Sequence, residues 1–252
     1  LFAVAQQSGP DGAPLVVQPV SVAYTRLDGT TMCRAFRPFY AWYGDMTLAG
    51  HLFEVLGLAR DRDLVPLGSA FPGLELFPLD RLARCLASGM RKLDPWNIVQ
   101  SLPPGDERLR QQIALRYGVH GTAVDVEEII ITNGAMEALN LCLEAVTQPG
   151  DVVVVESPTF YAALQALERL NLQALEIATH PRDGIDLAAL AEALERQSSH
   201  KPHQPIKACW LMPSFQNPLG SLIPEEKKRE LVALLARHGV PLIEDDVYGE
   251  LH

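Results

Sequence analysis

The sequence has few of the features that mark membrane proteins, nucleic-acid-binding proteins or metal proteins. No apolar run approaches the ~18 residues of a membrane-spanning helix, and no signal peptide is evident. Lys and Arg number 21 against 31 Asp and Glu, so the formal net charge of −10 indicates no polyanion-binding surface. We therefore expect a cytoplasmic protein without membrane contact, in which any DNA binding would need a segment outside this chain.

Cysteine is also sparse, and its spacing carries no motif. Cys33, Cys85, Cys142 and Cys209 are widely scattered, without CxxC or CxxH spacing, so neither a zinc site nor a redox pair is indicated. Buried or idle thiols in a reducing compartment are the expected state. The chain begins without a methionine, and we expect it to be an internal piece of a longer protein.

The overall composition is that of a globular protein with a substantial core, since 48% of the residues are hydrophobic and 21% are charged. Residues 1–47 are rich in Gly, Pro and mixed polar residues without a sustained hydrophobic period. They are expected to form a linker or a poorly ordered N-terminal segment. Residues 48–252 are expected to form one domain, which starts with a short helix over 48–59, an extended segment over 64–68 and a helix over 78–90.

Apolar strands and helices alternate from Gly105 onward. Short apolar runs predict strands over 129–132, 152–155, 172–177, 208–212 and 240–243. The segments before and between them predict helices, of which the first ends at a left-handed Gly118, the next covers 135–146, a later one is capped by Asp186 and the last ends at Gly239. This alternation predicts an α/β fold with a mostly parallel sheet flanked by helices. The loops that follow the strands then share one edge of the sheet, which is where ligands bind in such folds.

A glycine follows the first of these strands and opens a helix, in Thr132-Asn133-Gly134-Ala135. Gly134 lets the backbone come close to a bound oxyanion, and the amides of Ala135 and Met136 would point at it from the helix N-terminus. A glycine after a strand is more often only a tight turn, and neither a GxGxxG fingerprint nor a Walker A loop is present. A phosphate site is therefore one of two interpretations here.

Asp245 is a stronger clue, because a carboxylate at the end of a buried strand must be paired, capped or functional. Facing a pyridine nitrogen, it would hold that nitrogen protonated and make the ring an electron sink. Asn217 and Tyr248 could donate to the O3′ oxygen of the same ring. A structural carboxylate at a β-α turn is the alternative. A metal site at residues 244–246 is disfavoured, because His252 is the only histidine nearby in sequence.

An aromatic residue follows the strand over 152–155, in Ser157-Pro158-Thr159-Phe160-Tyr161. Phe160 could stack on the face of a pyridine ring, whereas Tyr161 is expected only to pack. A phosphate cradle, a ring-nitrogen carboxylate and a stacking ring together suit a phosphorylated pyridine, in particular pyridoxal 5'-phosphate.

In the order of these motifs, the chain resembles fold-type I pyridoxal-phosphate enzymes of the class I/II aminotransferase group. Within that group it resembles the MocR branch, in which a GntR-type winged helix-turn-helix is fused to an aminotransferase-like domain. The motifs that carry this second resemblance are DLVPLGSA at 63–70, LFP at 76–78, PSFQNPLG at 213–220 and EDDVYGEL at 244–251. The resemblance covers residues 48–252 and implies the large domain of that fold, incomplete on its C-terminal side.

The resemblance also implies a role for each candidate residue. Cofactor phosphate would be held by Gly134, Ala135 and Met136; the ring would be held by Phe160, Asn217, Asp245 and Tyr248. Phe160 stands where the family more often has tyrosine. No lysine of this chain occupies the place of the Schiff-base lysine, which is expected downstream of His252, and the winged helix is expected upstream. The chain is therefore expected to contain no catalytic residue.

Two functions fit this resemblance. In the first, the domain belongs to a MocR/GntR-type transcriptional regulator and senses the cofactor, or an amino compound, through aldimine formation. In the second, it belongs to a catalytic class I/II aminotransferase that moves an amino group from an amino acid to a 2-oxo acid. The expected partners are a small amino compound or amino acid, a second copy of the chain in a homodimer, and DNA through the absent winged helix. An α/β domain without a cofactor is the third alternative.

Overall fold

A computed structural model describes residues 2–5, 16–20, 73–100, 102–199 and 205–250. The helix predicted over 48–59 and the extended segment predicted over 64–68 lie outside these residues. Clustering of contacts divides the chain into two compact units, one formed by residues 1–23 and 92–252 and the other by residues 24–91.

The described part of the smaller unit contains a 3₁₀ turn, Leu74–Leu76, and helix α1, Leu79–Met90. The helix predicted over 78–90 is confirmed, with Pro78 as its N-cap residue. Proline suits this boundary because its missing N–H is not needed before the first turn.

The larger unit contains a sheet and six further helices among its described residues. Its strands are β1 Phe2–Ala5, β2 Val16–Val20, β3 Ile129–Ile131, β4 Val152–Ser157, β5 Gln173–His180, β6 Gly184–Ile185, β7 Ile206–Leu211 and β8 Leu242–Glu244. Its helices are α2 Pro95–Gln100, α3 Glu107–Val119, α4 Ala135–Val146, α5 Tyr161–Arg169, α6 Leu187–Ser199 and α7 Glu225–His238, and Val126–Glu128 is a 3₁₀ turn. No helix of the described ranges is both long and apolar enough to cross a membrane.

The strands lie in the order β3-β1-β2-β8-β7-β4-β5-β6. The pairings from β2 through β8, β7 and β4 to β5 are parallel, which confirms the predicted parallel sheet at its centre. The pairings of β1 with β2 and β3, and of β5 with β6, are antiparallel. Two antiparallel steps separate β3 from β2, so β3 runs in the same direction as β8. The carboxyl ends of β3, β4, β7 and β8 therefore share one edge, which we call the carboxyl edge.

Two of the strands, β1 and β2, lie in the segment that was expected to be a linker. They are inserted between β3 and β8, with Phe2 opposite Ile131 and Val17 opposite Ile243. No hydrophobic period in the sequence predicts them. The remainder of residues 1–47 lies outside the described part of the chain, so the linker assignment stays a prediction.

The core has two parts, one on each face of the sheet, because successive strand residues point to opposite faces. We call the part beneath α4 and α5 the first-face cluster; its helix residues are Ala138, Leu139, Cys142, Leu143, Ala163, Ala166 and Leu167. We call the part beneath α6 and α7 the second-face cluster; its helix residues are Leu190, Leu194, Leu231, Leu234 and Leu235. Helices thus cover both faces, as the sequence pattern predicts.

Local signals at the helix ends agree with the structure at most positions. The Asp186 carboxylate accepts hydrogen bonds from the N–H groups of Ala188 and Ala189, at 2.9 and 3.1 Å. Gly239 ends α7 with a φ of 65°. The prediction for Gly118 is wrong, because α3 continues to Val119 and the left-handed glycine is Gly121, with a φ of 82°.

Candidate functional site

The loops that leave the carboxyl edge carry all seven predicted site residues. Gly134, Ala135 and Met136 follow β3, and Phe160 follows β4. Asn217 follows β7, and Asp245 and Tyr248 follow β8. Because β7 and β8 are neighbours, the loops with Asn217 and Asp245 leave the sheet side by side.

The residues after β3 are farther away along the sheet. Two strands separate β3 from β8, so their axes are roughly 14 Å apart at about 4.8 Å per strand. Helix α4 begins at these residues, crosses the sheet and contacts β1, β2 and β7. Its first residue, Ala135, packs against the first-face cluster together with Phe160 and Tyr248. The structure thus gathers the candidates at one edge and three of them on one core cluster.

Gly134 is the N-cap residue of α4, with a φ of 107° and a ψ of 164°. L-residues with a side chain are strained in this conformation, and the space in front of Gly134 is open, since an added Cβ would meet no atom within 4 Å. The next amides, those of Ala135 and Met136, belong to the first turn and have no acceptor within the helix. An anion could therefore approach this backbone closely.

The turn before α4 is held by its own side chains. The Thr132 hydroxyl donates to the Gly134 carbonyl at 3.2 Å. The Glu137 carboxylate accepts a short hydrogen bond from the Asn133 N–H. These contacts fix the backbone without occupying the amides of the first helical residues.

Asp245 is buried directly after β8, with 5% of its surface exposed. Its N–H donates to the Leu211 carbonyl at 2.9 Å, which extends the β7–β8 ladder by one bond. Its Oδ1 atom is buried and has no hydrogen-bond partner among the described residues. An acceptor left unsatisfied in this way is costly unless a donor enters the site.

Burial raises the pKa of Asp245 from 3.8 to about 6, while the Val247 N–H opposes the rise and Asp246 adds to it. A cation brought beside the carboxyl group would lower this pKa again and favour the ionised form. A protonated ring nitrogen is a cation of this kind.

The aromatic and amide candidates are half-buried at the same edge. Phe160 is the N-cap residue of α5, and its ring centroid lies 4.8 Å from that of Tyr161, at an interplanar angle of 55°. Asn217 is half-buried in the turn after β7, and Tyr248 is half-buried four residues after the end of β8. Phe160 and Tyr248 thus pack on the first-face cluster and are each partly exposed.

Two buried residues and one half-buried residue near this edge, Glu156, Gln216 and Tyr117, were not predicted. Glu156 is fully buried in β4, and its Oε2 atom accepts a hydrogen bond from the Met212 N–H at 2.9 Å. Burial raises its pKa to about 7, although the Met212 N–H and the Gln216 amide oppose this. Gln216 is also buried. Burial, with the charges of Glu244 and Asp246, raises the pKa of Tyr117.

The sequence contains one usable signal for Glu156. An acidic residue that directly follows Val152-Val153-Val154-Val155 lies on a strand that is otherwise completely apolar. Such a residue lies either at the exposed end of the strand or in the core, where a carboxyl group must be paired, capped or functional. The predicted strand ended at Val155, whereas β4 continues to Ser157, and Glu156 was therefore missed.

Comparisons with known proteins show the family to which the chain is similar. The family model for aminotransferase class I and II matches residues 86–252. The HTH-type transcriptional regulator YdcR of Escherichia coli (strain K12) is 52% identical over 202 residues, which are 80% of this chain and 42% of YdcR. The 2-aminoadipate transaminase of Thermus thermophilus is 32% identical over 206 residues, covering 81% of this chain and 48% of the relative.

A solved structure shows the same relation in three dimensions. The kynurenine aminotransferase of Pyrococcus horikoshii, in complex with PMP, has 28% sequence identity and a TM-score of 0.66, covering 78% of this chain and 48% of that one. The chain thus spans somewhat less than half the length of each of these relatives.

Proposed function

The chain belongs to the class I and II aminotransferase family, and from this we propose that its carboxyl edge binds pyridoxal 5'-phosphate. The observation that carries the proposal is Asp245: a buried carboxylate with an unsatisfied oxygen, at the edge where such sheets bind ligands. A cationic N–H donor from the ligand would satisfy that oxygen and favour the ionised carboxylate.

The other candidates fit the remaining parts of the cofactor. The open backbone at Gly134 and the first amides of α4 would hold the phosphate. The Phe160 ring would cover one face of the pyridine. Asn217 and Tyr248 would donate to its O3′ oxygen. When bound, the group supplies an aldehyde that reacts with primary amines and a ring that withdraws electrons.

We propose further that this binding unit serves a transcriptional regulator of the MocR type. The 52% identity to the HTH-type regulator YdcR supports this function, as does the 36% identity to YjiR of Escherichia coli (strain K12). In this proposal a small amino compound changes the state of the bound cofactor, and a winged helix-turn-helix outside the chain binds DNA. The protein would act in the cytoplasm as a homodimer.

A catalytic aminotransferase is the second candidate, and the 32% identity to the 2-aminoadipate transaminase supports it. The same carboxyl edge serves both functions, because each requires the cofactor to meet an amino compound. The two functions differ in the outcome of that meeting. A regulator changes its affinity for DNA, whereas a transaminase releases a 2-oxo acid in every cycle.

Equilibrium dialysis of the chain against pyridoxal 5'-phosphate tests cofactor binding, with pyridoxal as the matched control. We expect saturable, reversible binding of the phosphorylated compound and much weaker binding of pyridoxal, because the latter cannot use the N-terminus of α4. Absence of saturable binding, or equal binding of the two compounds, would contradict the proposal.

The choice between regulator and enzyme needs a protein in which this chain is joined to its DNA-binding segment. For a regulator, an amino compound added with the cofactor changes the affinity for operator DNA, and little 2-oxo acid accumulates. Sustained release of 2-oxo acid from an amino acid, with unchanged DNA affinity, would establish the second candidate instead.

A further inference from the structure

Gln216 is a buried amide that joins two loops of the carboxyl edge. With 1% of its surface exposed, it lies one residue before Asn217 in the loop after β7. Its Nε2 atom donates to the Pro158 carbonyl at 2.8 Å, and its Oε1 atom accepts from the Leu219 N–H at 2.8 Å. Both ends of the amide are therefore in use, one in each loop.

The backbone of Gln216 closes the turn that contains Asn217. The Gln216 N–H donates to the Ser221 carbonyl at 3.0 Å, and the Gln216 carbonyl accepts from the Gly220 N–H at 2.5 Å. The Leu219 N–H also donates to the Gln216 side chain, so the backbone on both sides of Asn217 is held by hydrogen bonds to Gln216. The position of Asn217 therefore depends on where Gln216 is anchored.

Gln216 is anchored to the loop after β4, which also carries the stacking candidate Phe160. Pro158 lies two residues before Phe160, the N-cap residue of α5. Glu156 lies two residues before Pro158, in β4. Its carboxylate accepts a hydrogen bond from the N–H of Met212, which follows β7, and this is the second side-chain hydrogen bond between the two strand ends. Two buried side chains thus join the carboxyl ends of β4 and β7: Glu156 from β4 and Gln216 from the loop after β7.

We propose that Gln216 is a positioning residue of the cofactor site, which sets the spacing between the Phe160 ring and the Asn217 amide. This inference rests on the proposed binding of pyridoxal 5'-phosphate. The cofactor ring would have to contact the Phe160 ring on one face and the Asn217 amide at its edge. A change of about 1 Å in the distance between these two groups would weaken one of the contacts, because contact energies fall steeply over that distance. A side chain that spans both loops controls that separation directly.

Three variants of the chain test the proposal. Gln216→Met keeps the volume of the side chain and removes both of its hydrogen bonds. Gln216→Asn keeps the amide but shortens its reach by one methylene. Ser221→Ala is the matched control, because the Ser221 side chain is equally buried in the same turn and its Oγ atom has no partner among the described residues.

Three quantities are measured for each variant: the melting temperature, the dissociation constant for pyridoxal 5'-phosphate, and the induced circular dichroism per bound cofactor. We expect both Gln216 variants to bind at least about tenfold more weakly and to change the induced band, since the ring then sits differently. Ser221→Ala should match the unmodified chain in affinity and band. A merely structural role would lower the melting temperature and leave the band unchanged.

The outcomes separate this inference from the proposed function. If the unmodified chain does not bind the cofactor, the proposed function fails and the inference fails with it. If the unmodified chain binds and a folded Gln216 variant keeps its affinity and its band, only the positioning role is wrong. Should Gln216→Met not fold, the milder Gln216→Asn decides by the same two readouts.

Discussion

On one face of the sheet the buried helix residues include three alanines and a cysteine, whereas on the other face they are all leucines. Ala135 begins α4, and Phe160 is the N-cap residue of α5; both pack on the first-face cluster. Two site elements therefore belong to the face with the smaller buried side chains.

Each face of the sheet also has one buried carboxyl group at the carboxyl edge. Glu156 and Asp245 are buried at the carboxyl ends of β4 and β8, and burial raises the pKa of both carboxyl groups. Side chains alternate along each strand, so Asp245 lies on the side of Ile243 and the first-face cluster, whereas Glu156 lies on the side of Val154 and the second-face cluster. The charge of Glu156 accordingly acts on Cys209, which belongs to the second-face cluster. Of the two carboxyl groups, only Asp245 thus lies on the face that carries the site elements. This division predicts that substitutions on the two faces have separable effects.

The largest effect is expected from a matched pair of core truncations. Leu143 and Leu235 each have 1% of their surface exposed, the first on α4 and the second on α7. Either Leu→Ala change should lower the free energy of unfolding by about 2–5 kcal/mol, measured by urea denaturation. Only Leu143→Ala should also weaken pyridoxal 5'-phosphate binding, because it loosens the helix whose N-terminus would hold the phosphate. An equal loss of affinity in Leu235→Ala would remove the distinction between the faces.

The pH dependence of stability should come from the two buried carboxyl groups, one on each face. A carboxyl group whose pKa is higher in the folded than in the unfolded chain binds more protons when folded, so stability falls as pH rises between the two values. For Asp245 this window runs from 3.8 to about 6, and for Glu156 from 4.5 to about 7. Each group should lower stability by on the order of 3 kcal/mol across its window.

The measurement is urea denaturation of the unliganded chain at about pH 4 and about pH 8. Asp245→Asn and Glu156→Gln should each flatten the decrease, because the amide does not titrate. Glu168, an exposed residue of α5, offers the control, and Glu168→Gln should leave the slope unchanged. A slope that neither buried substitution alters would show that other groups control it.

Cofactor affinity should depend on the charge of Asp245. Asp245→Asn replaces a charge-assisted hydrogen bond by a neutral one, a loss of about 1.5–3 kcal/mol or roughly 10- to 150-fold in the dissociation constant. The fold should remain intact, as measured by far-UV circular dichroism. Unchanged affinity for pyridoxal 5'-phosphate in this variant would exclude Asp245 from the site.

The smallest effect is expected from a matched pair of glycines. Gly134 and Gly121 both have positive φ, at 107° and 82°, and an added Cβ would meet nothing within 4 Å at either position. Each Gly→Ala change should therefore cost roughly 1–2 kcal/mol of stability through backbone strain alone. Gly134→Ala should also weaken binding of the phosphate group, and Gly121→Ala should not. Equal affinities would place the phosphate away from α4.

Local features of the fold could be predicted because their causes lie within a few residues. The bounds of α4 were predicted correctly, and α1 was predicted within one residue. The cap at Asp186 and the left-handed Gly239 depend only on adjacent backbone geometry. The strand ends were less accurate, as for β5, which was predicted over 172–177 and runs over Gln173–His180. The end of a strand depends on where the neighbouring strand in the sheet ends, and a short apolar run carries no information about its neighbour.

The sequence by itself determined the alternation of strands and helices, the polar residues after each strand, and the family that these motifs resemble. Each of these features depends on a few adjacent residues, so the order of residues along the chain is enough to identify it. Tertiary structure alone decided the strand order, with β1 and β2 between β3 and β8, and the depth at which Glu156, Gln216 and Asp245 are buried. Burial and its effect on a pKa depend on segments far apart in sequence, because only packed neighbours exclude water from a carboxyl group.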